Sequence, residues 1–207
     1  MASITPPDYS VFVSAATAFA DLVALIPATS WDGPGLGDWD LRSLVGHTSR
    51  SLITVSSYLR IPAEREDVTG PAHYYYALLR GYAAGSPDII ERGREAGRVL
   101  GADPSAKVTE LLHQVLTDLD GAGDPLIAVI GGLGIRLSNY LPTRVFELTV
   151  HSLDIARATG IDFAPPEQAL EAAAVLAAQI SALTGQAAAV LTALTGRGAL
   201  PAGFSVV

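Results

Sequence analysis

The sequence predicts an all-α protein, a bundle of packed helices. Three observations point to this class. Apolar residues recur at three- and four-residue spacing in segment after segment, the period of a helix with one buried face. Proline, glycine and aspartate punctuate those segments where helices start and stop. Five or six long helical segments stand beside a single β-branched run with no evident partner strand. The 207 residues fit one domain spanning 1–207, and a 49% hydrophobic content allows a sizeable core.

Asp8 to Ile26 carries Val11, Phe12, Ala15, Phe19, Leu22 and Val23 at helical spacing, and Pro27 ends it. The stretch "WDGPGLGDWD" is a turn-rich connector. Asp38 or Asp40 then caps a second helix running to about Leu59. "RIPAEREDVTGP" is a loop, and Ala72–Ala84 forms a short helix bearing four tyrosines, three of them consecutive. Pro87 sits in the first turn of a helix through Leu100, and Ser105 begins another with a Leu/Val stripe. Residues 124–137, "DPLIAVIGGLGIRL", are ambiguous: the β-branched run favours a strand, yet no partner strand is evident. A long helix follows from Ser138 to Thr159, stopped by Gly160. Pro165 and Pro166 introduce an alanine-rich helix, Glu167–Leu183, and a last helix spans Gln186–Leu194.

Charge and composition exclude several function classes. The net charge of −8 and pI of about 4.8 argue against nucleic acid and anionic membrane surfaces, which both need basic patches. No run of about 18 apolar residues occurs, so no transmembrane span is expected. "MASITPPDYS" lacks the basic and apolar regions of a secretory signal. With no cysteine in the chain, a reducing cytoplasm is the expected compartment, and thiol chemistry needs a thiol from outside.

The segment "RVFELTVHSLDIARATG" puts Glu147, His151 and Asp154 among apolar residues. With Arg144 at zero on a helical wheel, these three fall near 300°, 340° and 280°, roughly on one side. Leu148 and Ile155 form a rib on one flank; Phe146, Val150 and Leu153 form one on the other. A solvated face would not run between two apolar ribs. Glu147 and His151, one turn apart, can converge on one divalent metal ion. The same spacing also suits a buried Glu–His hydrogen bond or an exposed pair. On the second helix His47 lies beside Ser51, Thr54 and Tyr58, a hydrogen-bonding rib that could wall a pocket or simply face water. His113 has the flanks of an ordinary helix face, and His73 precedes three tyrosines that either line a cavity or pack.

"GLGDWDLRSLVGHTSR" resembles the Trp- and His-bearing helix start of the mycothiol-dependent maleylpyruvate isomerase N-terminal domains, members of the DinB-like metalloprotein superfamily. "RVFELTVHSLDIARATG" resembles the family's second block, E-x-x-x-H followed by H-x-x-D-x-A-x-A-x-G. The resemblance implies a DinB-like four-helix bundle with additional short helices. It implies a metal, zinc in the first instance, held by His47, Glu147 and His151. Asp154 would orient an imidazole, and Arg144 and Tyr58 would hold an anionic substrate or the thiol. It implies a metal-dependent enzyme in which a low-molecular-weight thiol, such as mycothiol, attacks a small electrophile in S-transfer or isomerisation. Some members carry a sterol-carrier-like domain after the bundle, and none is expected within these 207 residues.

Two other classes stay open. One is a non-enzymatic bundle that binds a metal or small ligand, or forms a homodimer through the small residues of Glu167–Leu183. The other is a metal-dependent hydrolase using a bound water. Glu147, as a ligand, could not then also be the general base, which leaves Asp154 for that role.

Overall fold

The computed structural model describes residues 9–81 and 87–207, with 87–89 described by their backbone alone. Eight helices and one small hairpin are found among them: α1 Ser10–Ala24, α2 Leu41–Tyr58, α3 Pro71–Gly81, α4 Pro87–Val99, α5 Pro104–Leu119, β1 Leu126–Ala128, β2 Gly134–Arg136, α6 Leu137–Thr159, α7 Glu167–Leu183 and α8 Ala187–Leu194. The fold is all-α, as the periodicity predicts; the two-stranded hairpin corrects the expectation that the β-branched run has no partner strand. The start of the first helix at Asp8, the N-terminal stretch through Asp8 where a secretory signal would begin and residues 82–84 of the expected Ala72–Ala84 helix lie outside the described residues.

Four helices close a ring. α6 packs against α1 and α2, and α5 packs against the same pair from the other side. Their apolar faces meet in a core containing Phe12, Phe19, Leu44, Leu52, Val115, Leu148 and Ile155. Outside the ring, α7 covers α6 and α1, α3 lies against α6 and α7, and α8 rests on α7. α4 lies along α2 at close range. Gly46 and Gly97 face each other there, and a Cβ at Gly46 would stand 2.5 Å from the carbonyl carbon of Ala96. No helix among the described residues is long and apolar enough to cross a membrane.

Local chemistry sets the helix ends. Asp40 caps α2 by accepting from Ser43 N at 2.7 Å, and Asp103 caps α5 by accepting from Ala106 N at 3.0 Å. Asp124 caps α6 from across the hairpin, accepting from both the backbone N (2.8 Å) and the hydroxyl (2.9 Å) of Ser138. Gly160 ends α6 with φ 71°, where a side chain would be strained.

The ambiguous run 124–137 is the hairpin. Its two halves pair with each other, Ile127 opposite Ile135, and the reversal uses Gly131 and Gly132 at φ 75° and 74°. Both isoleucines are fully buried. The 61–68 loop supports the hairpin, Pro62 bridging to Ile127 and Val68 to Ile135.

Candidate metal centre

The site forms where α2, α3 and α6 converge. Glu147 and His151 are one turn apart on α6, and His47 comes from α2. One ligand atom from each of these three side chains lies within 4.8 Å of the others. The His47 and His151 rings meet edge-on, with centroids 5.0 Å apart. Trp39 covers the other side of His47, 4.5 Å between centroids. His47 Nδ1 is buried and has no hydrogen-bond partner. The imidazole of His151 keeps 14% of its surface exposed and the Glu147 side chain 21%, so the cluster is reachable from outside.

Each member is held by neighbours. The Tyr75 hydroxyl donates to Glu147 Oε1 at 2.6 Å. Glu147 Oε2 lies 3.3 Å from His151 Nε2. His151 Nδ1 lies 3.2 Å from Asp154 Oδ2, and Arg157 donates to Asp154 Oδ1 at 3.3 Å. Arg144 is buried beside Glu147. Its guanidinium lies 4.9 Å from the Tyr140 ring centroid and 5.7 Å from that of Tyr74, and its Nε donates to the Thr143 hydroxyl at 3.0 Å. Buried tyrosine faces offset part of the cost of desolvating that cation.

These contacts divide the protonation states. Burial pushes the Glu147 carboxyl up. The hydrogen bond to His151, the Arg144 charge and the Tyr75 hydroxyl together outweigh burial and hold it down at about 2. Burial, then the neighbouring His151 charge, lowers His47 to about 4. Burial opposes charge on His151 as well, but hydrogen bonds to Asp154 and Glu147 raise it to about 9. Burial raises Tyr75 well above the usual tyrosine value, so it stays a donor.

A cavity of about 380 Å³ opens beside the cluster. His47, Ser51, Thr54 and Tyr58 of α2 form one wall; Tyr140, Arg144 and Glu147 of α6 form another. Tyr74 and Tyr75 line it too, so two of the three tyrosines after His73 do both things the sequence left open: they pack and they line a cavity. His73 and His113 are exposed and away from it. The flanking ribs of α6 are corrected in part. Leu148, Ile155 and Phe146 are buried, but Val150 and Leu153 are 36% and 37% exposed. The polar stripe therefore runs along the border of the core rather than between two buried ribs.

A model of the mycothiol maleylpyruvate isomerase N-terminal domain matches residues 12–156. The chain belongs to that family. Within the family match lie α1 through most of α6, with His47, Glu147, His151 and Asp154; α7, α8 and the tail lie beyond it. The all-α ring agrees with the DinB-like helical fold expected of this family. No curated protein and no solved structure gave a significant match.

Three neighbours of the cluster and its cavity were not singled out in the sequence. Tyr75 was one of three adjacent tyrosines that no local pattern separates. Arg50 and Arg92 reach the cavity from α2 and α4. Arg50 follows His47 by three positions on α2, a helical spacing that could have flagged it.

Proposed function

We propose that His47, Glu147 and His151 hold one divalent cation, zinc in the first instance, and that the protein is a thiol-dependent enzyme of the mycothiol type. It would transfer the thiol sulfur to a small electrophile or isomerise that electrophile. The observation that carries the proposal is the convergence of two imidazoles and a carboxylate within 4.8 Å, with His47 Nδ1 buried and unpartnered. The donor set fits such an ion. Neutral imidazole and carboxylate suit zinc and other divalent first-row metals. An orphaned buried imidazole nitrogen, which would otherwise cost stability, gains a partner.

When bound, the cation supplies Lewis acidity that lets a thiol lose its proton at neutral pH. The chain's own residues do the rest. Burial keeps His47 neutral, with one ring-nitrogen lone pair available. Tyr75 occupies Glu147 Oε1, which orients the carboxylate and leaves Oε2 toward His151. Asp154 accepts from His151 Nδ1 and so fixes the ring and its tautomer. Arg144 balances the Glu147 charge and, with Tyr58, lines the cavity that would receive thiol or substrate. The chain has no cysteine, so the nucleophilic sulfur comes from a separate small thiol. Family membership supports mycothiol as that thiol.

Two measurements test the proposal. Metal analysis of protein purified without a histidine tag should find close to one equivalent of a divalent ion, or uptake of one on adding Zn²⁺. Less than a tenth of an equivalent, unrestored by Zn²⁺, would remove the metal. Incubation with mycothiol and an electrophile such as maleylpyruvate should give metal-dependent conjugate or isomer. Metal binding without turnover of any such pair would leave a binding protein instead.

A further inference from the structure

Arg50 and Arg92 stand between two cavities. Both line the 380 Å³ cavity beside His47 and Glu147, and both also line a second cavity of about 370 Å³ between α2, α4 and α5. Neither arginine has an ion-pair or hydrogen-bond partner among the described residues. Both are half-buried, in a chain whose net charge is −8. Two half-buried cations unpaired among the described residues leave a positive potential at the junction that an anionic group would meet. Arg144, by contrast, has Glu147 and its tyrosines.

The second cavity differs chemically from the first. Ile53, Ala96, Val99, Leu100 and Leu111 form most of its wall. Its other charged residues are already engaged: Glu95 with Arg98 at 2.6 Å, and Lys107 with Glu110 at 2.8 Å. The first cavity is instead walled by tyrosines, hydroxyls and Glu147. We propose that the second cavity binds the apolar body of an organic acid, whose anionic group is held between the Arg50 and Arg92 guanidiniums. A planar guanidinium pair matches a carboxylate or a phosphoryl group. The anionic group would then face the first cavity, so the site would accept an amphipathic anion that reaches toward the His47–Glu147–His151 cluster. The assignment stands on the two arginines and the apolar wall, and does not depend on a metal.

The probes are 1-naphthoate and the neutral, similarly shaped 1-naphthalenemethanol, titrated into the full-length protein by calorimetry. A charge-assisted contact with two arginines predicts that the acid binds at least about tenfold tighter than the alcohol. Arg50→Gln with Arg92→Gln should erase that preference and leave alcohol binding unchanged. Val99→Trp, at a position 57% exposed on the second cavity's wall, should fill the cavity and weaken the acid about tenfold without disturbing the core. Equal affinity of acid and alcohol for the wild type overturns the proposal. So does a preference that survives loss of both arginines. Unchanged binding in Val99→Trp removes the second cavity as the site, whatever the double variant does. Zn²⁺ uptake measured on each protein keeps the two proposals apart: a chain that takes no metal but prefers the acid loses only the metal centre.

Discussion

The Tyr75 hydroxyl donates to Glu147 Oε1 at 2.6 Å, a bond between α3 and α6 across 72 positions of the sequence. Glu147 meets His151 through its other oxygen. The carboxylate is therefore clamped on both sides before any ion arrives. A pre-set ligand loses less conformational freedom on binding than a mobile one.

Tyr75→Phe keeps the ring in the core and removes the donor. The metal affinity should fall about 10- to 100-fold, the usual cost of losing a group that orients a ligand. Competition with a chromophoric chelator measures this. An unchanged affinity would mean that Glu147 is oriented by something else, or is not a ligand.

His151→Ala should lower metal content and abolish the gain in melting temperature on adding Zn²⁺. A ligand that binds only the native state adds about 2.7 kcal/mol at a hundred times its Kd. Differential scanning fluorimetry with and without chelator reads that gain. A wild type that melts at the same temperature in both conditions would contradict the metal centre.

In metal-free protein the cluster sets a pH optimum for stability. His151 titrates at about 9 in the fold, above its unfolded value of about 6.5. Its contribution is fully present below about pH 6.5 and is lost as pH rises through about 9. His47 is depressed to about 4, so the unfolded chain takes its proton first and stability falls as pH drops from about 6.5 toward 4. Glu147 adds stability that is present above about pH 4.3 and lost as pH falls through about 2. Thermal melts should peak between about pH 6 and 7.

Cation uptake displaces the His151 proton, so about one proton should leave per ion bound near pH 7.5. Calorimetry in buffers of different ionisation enthalpy counts it. Binding with no proton released would exclude His151 as a ligand.

Gly46→Ala tests the contact between α2 and α4 independently of any metal. The new Cβ would overlap the backbone of Ala96 and Gly97, neither of which is a flexible side-chain end. A loss of about 2 kcal/mol or more in urea denaturation is expected. A neutral result would show that α4 moves off α2 at little cost.

Helix positions, and the α2 cap narrowed to Asp38 or Asp40, were legible in the sequence because they are local; the Asp103 and Asp124 caps were not foreseen. A 3.6-residue apolar period specifies a helix with one buried face wherever it sits, and the α7 span Glu167–Leu183 follows from its alanine-rich composition and the Pro165–Pro166 start. Asp40 as the α2 cap is equally local, a carboxylate reaching three residues forward. The ligand types His47, Glu147 and His151 were also on the page as residues, along with the family blocks that contain them.

What the tertiary structure alone decided is everything that depends on chain segments meeting. The 126–136 run pairs with itself because two glycines reverse it, and an apolar run does not announce its own turn partner. Val150 and Leu153 are exposed because burial depends on which neighbours cover a helix face, and the face does not name its neighbours. Tyr75 reaches Glu147, and Arg50 and Arg92 line the same two cavities, only because α3 and α4 dock where they do. Sequence spacing encodes rotation about a helix axis; the distance between axes is set by the packing of whole faces.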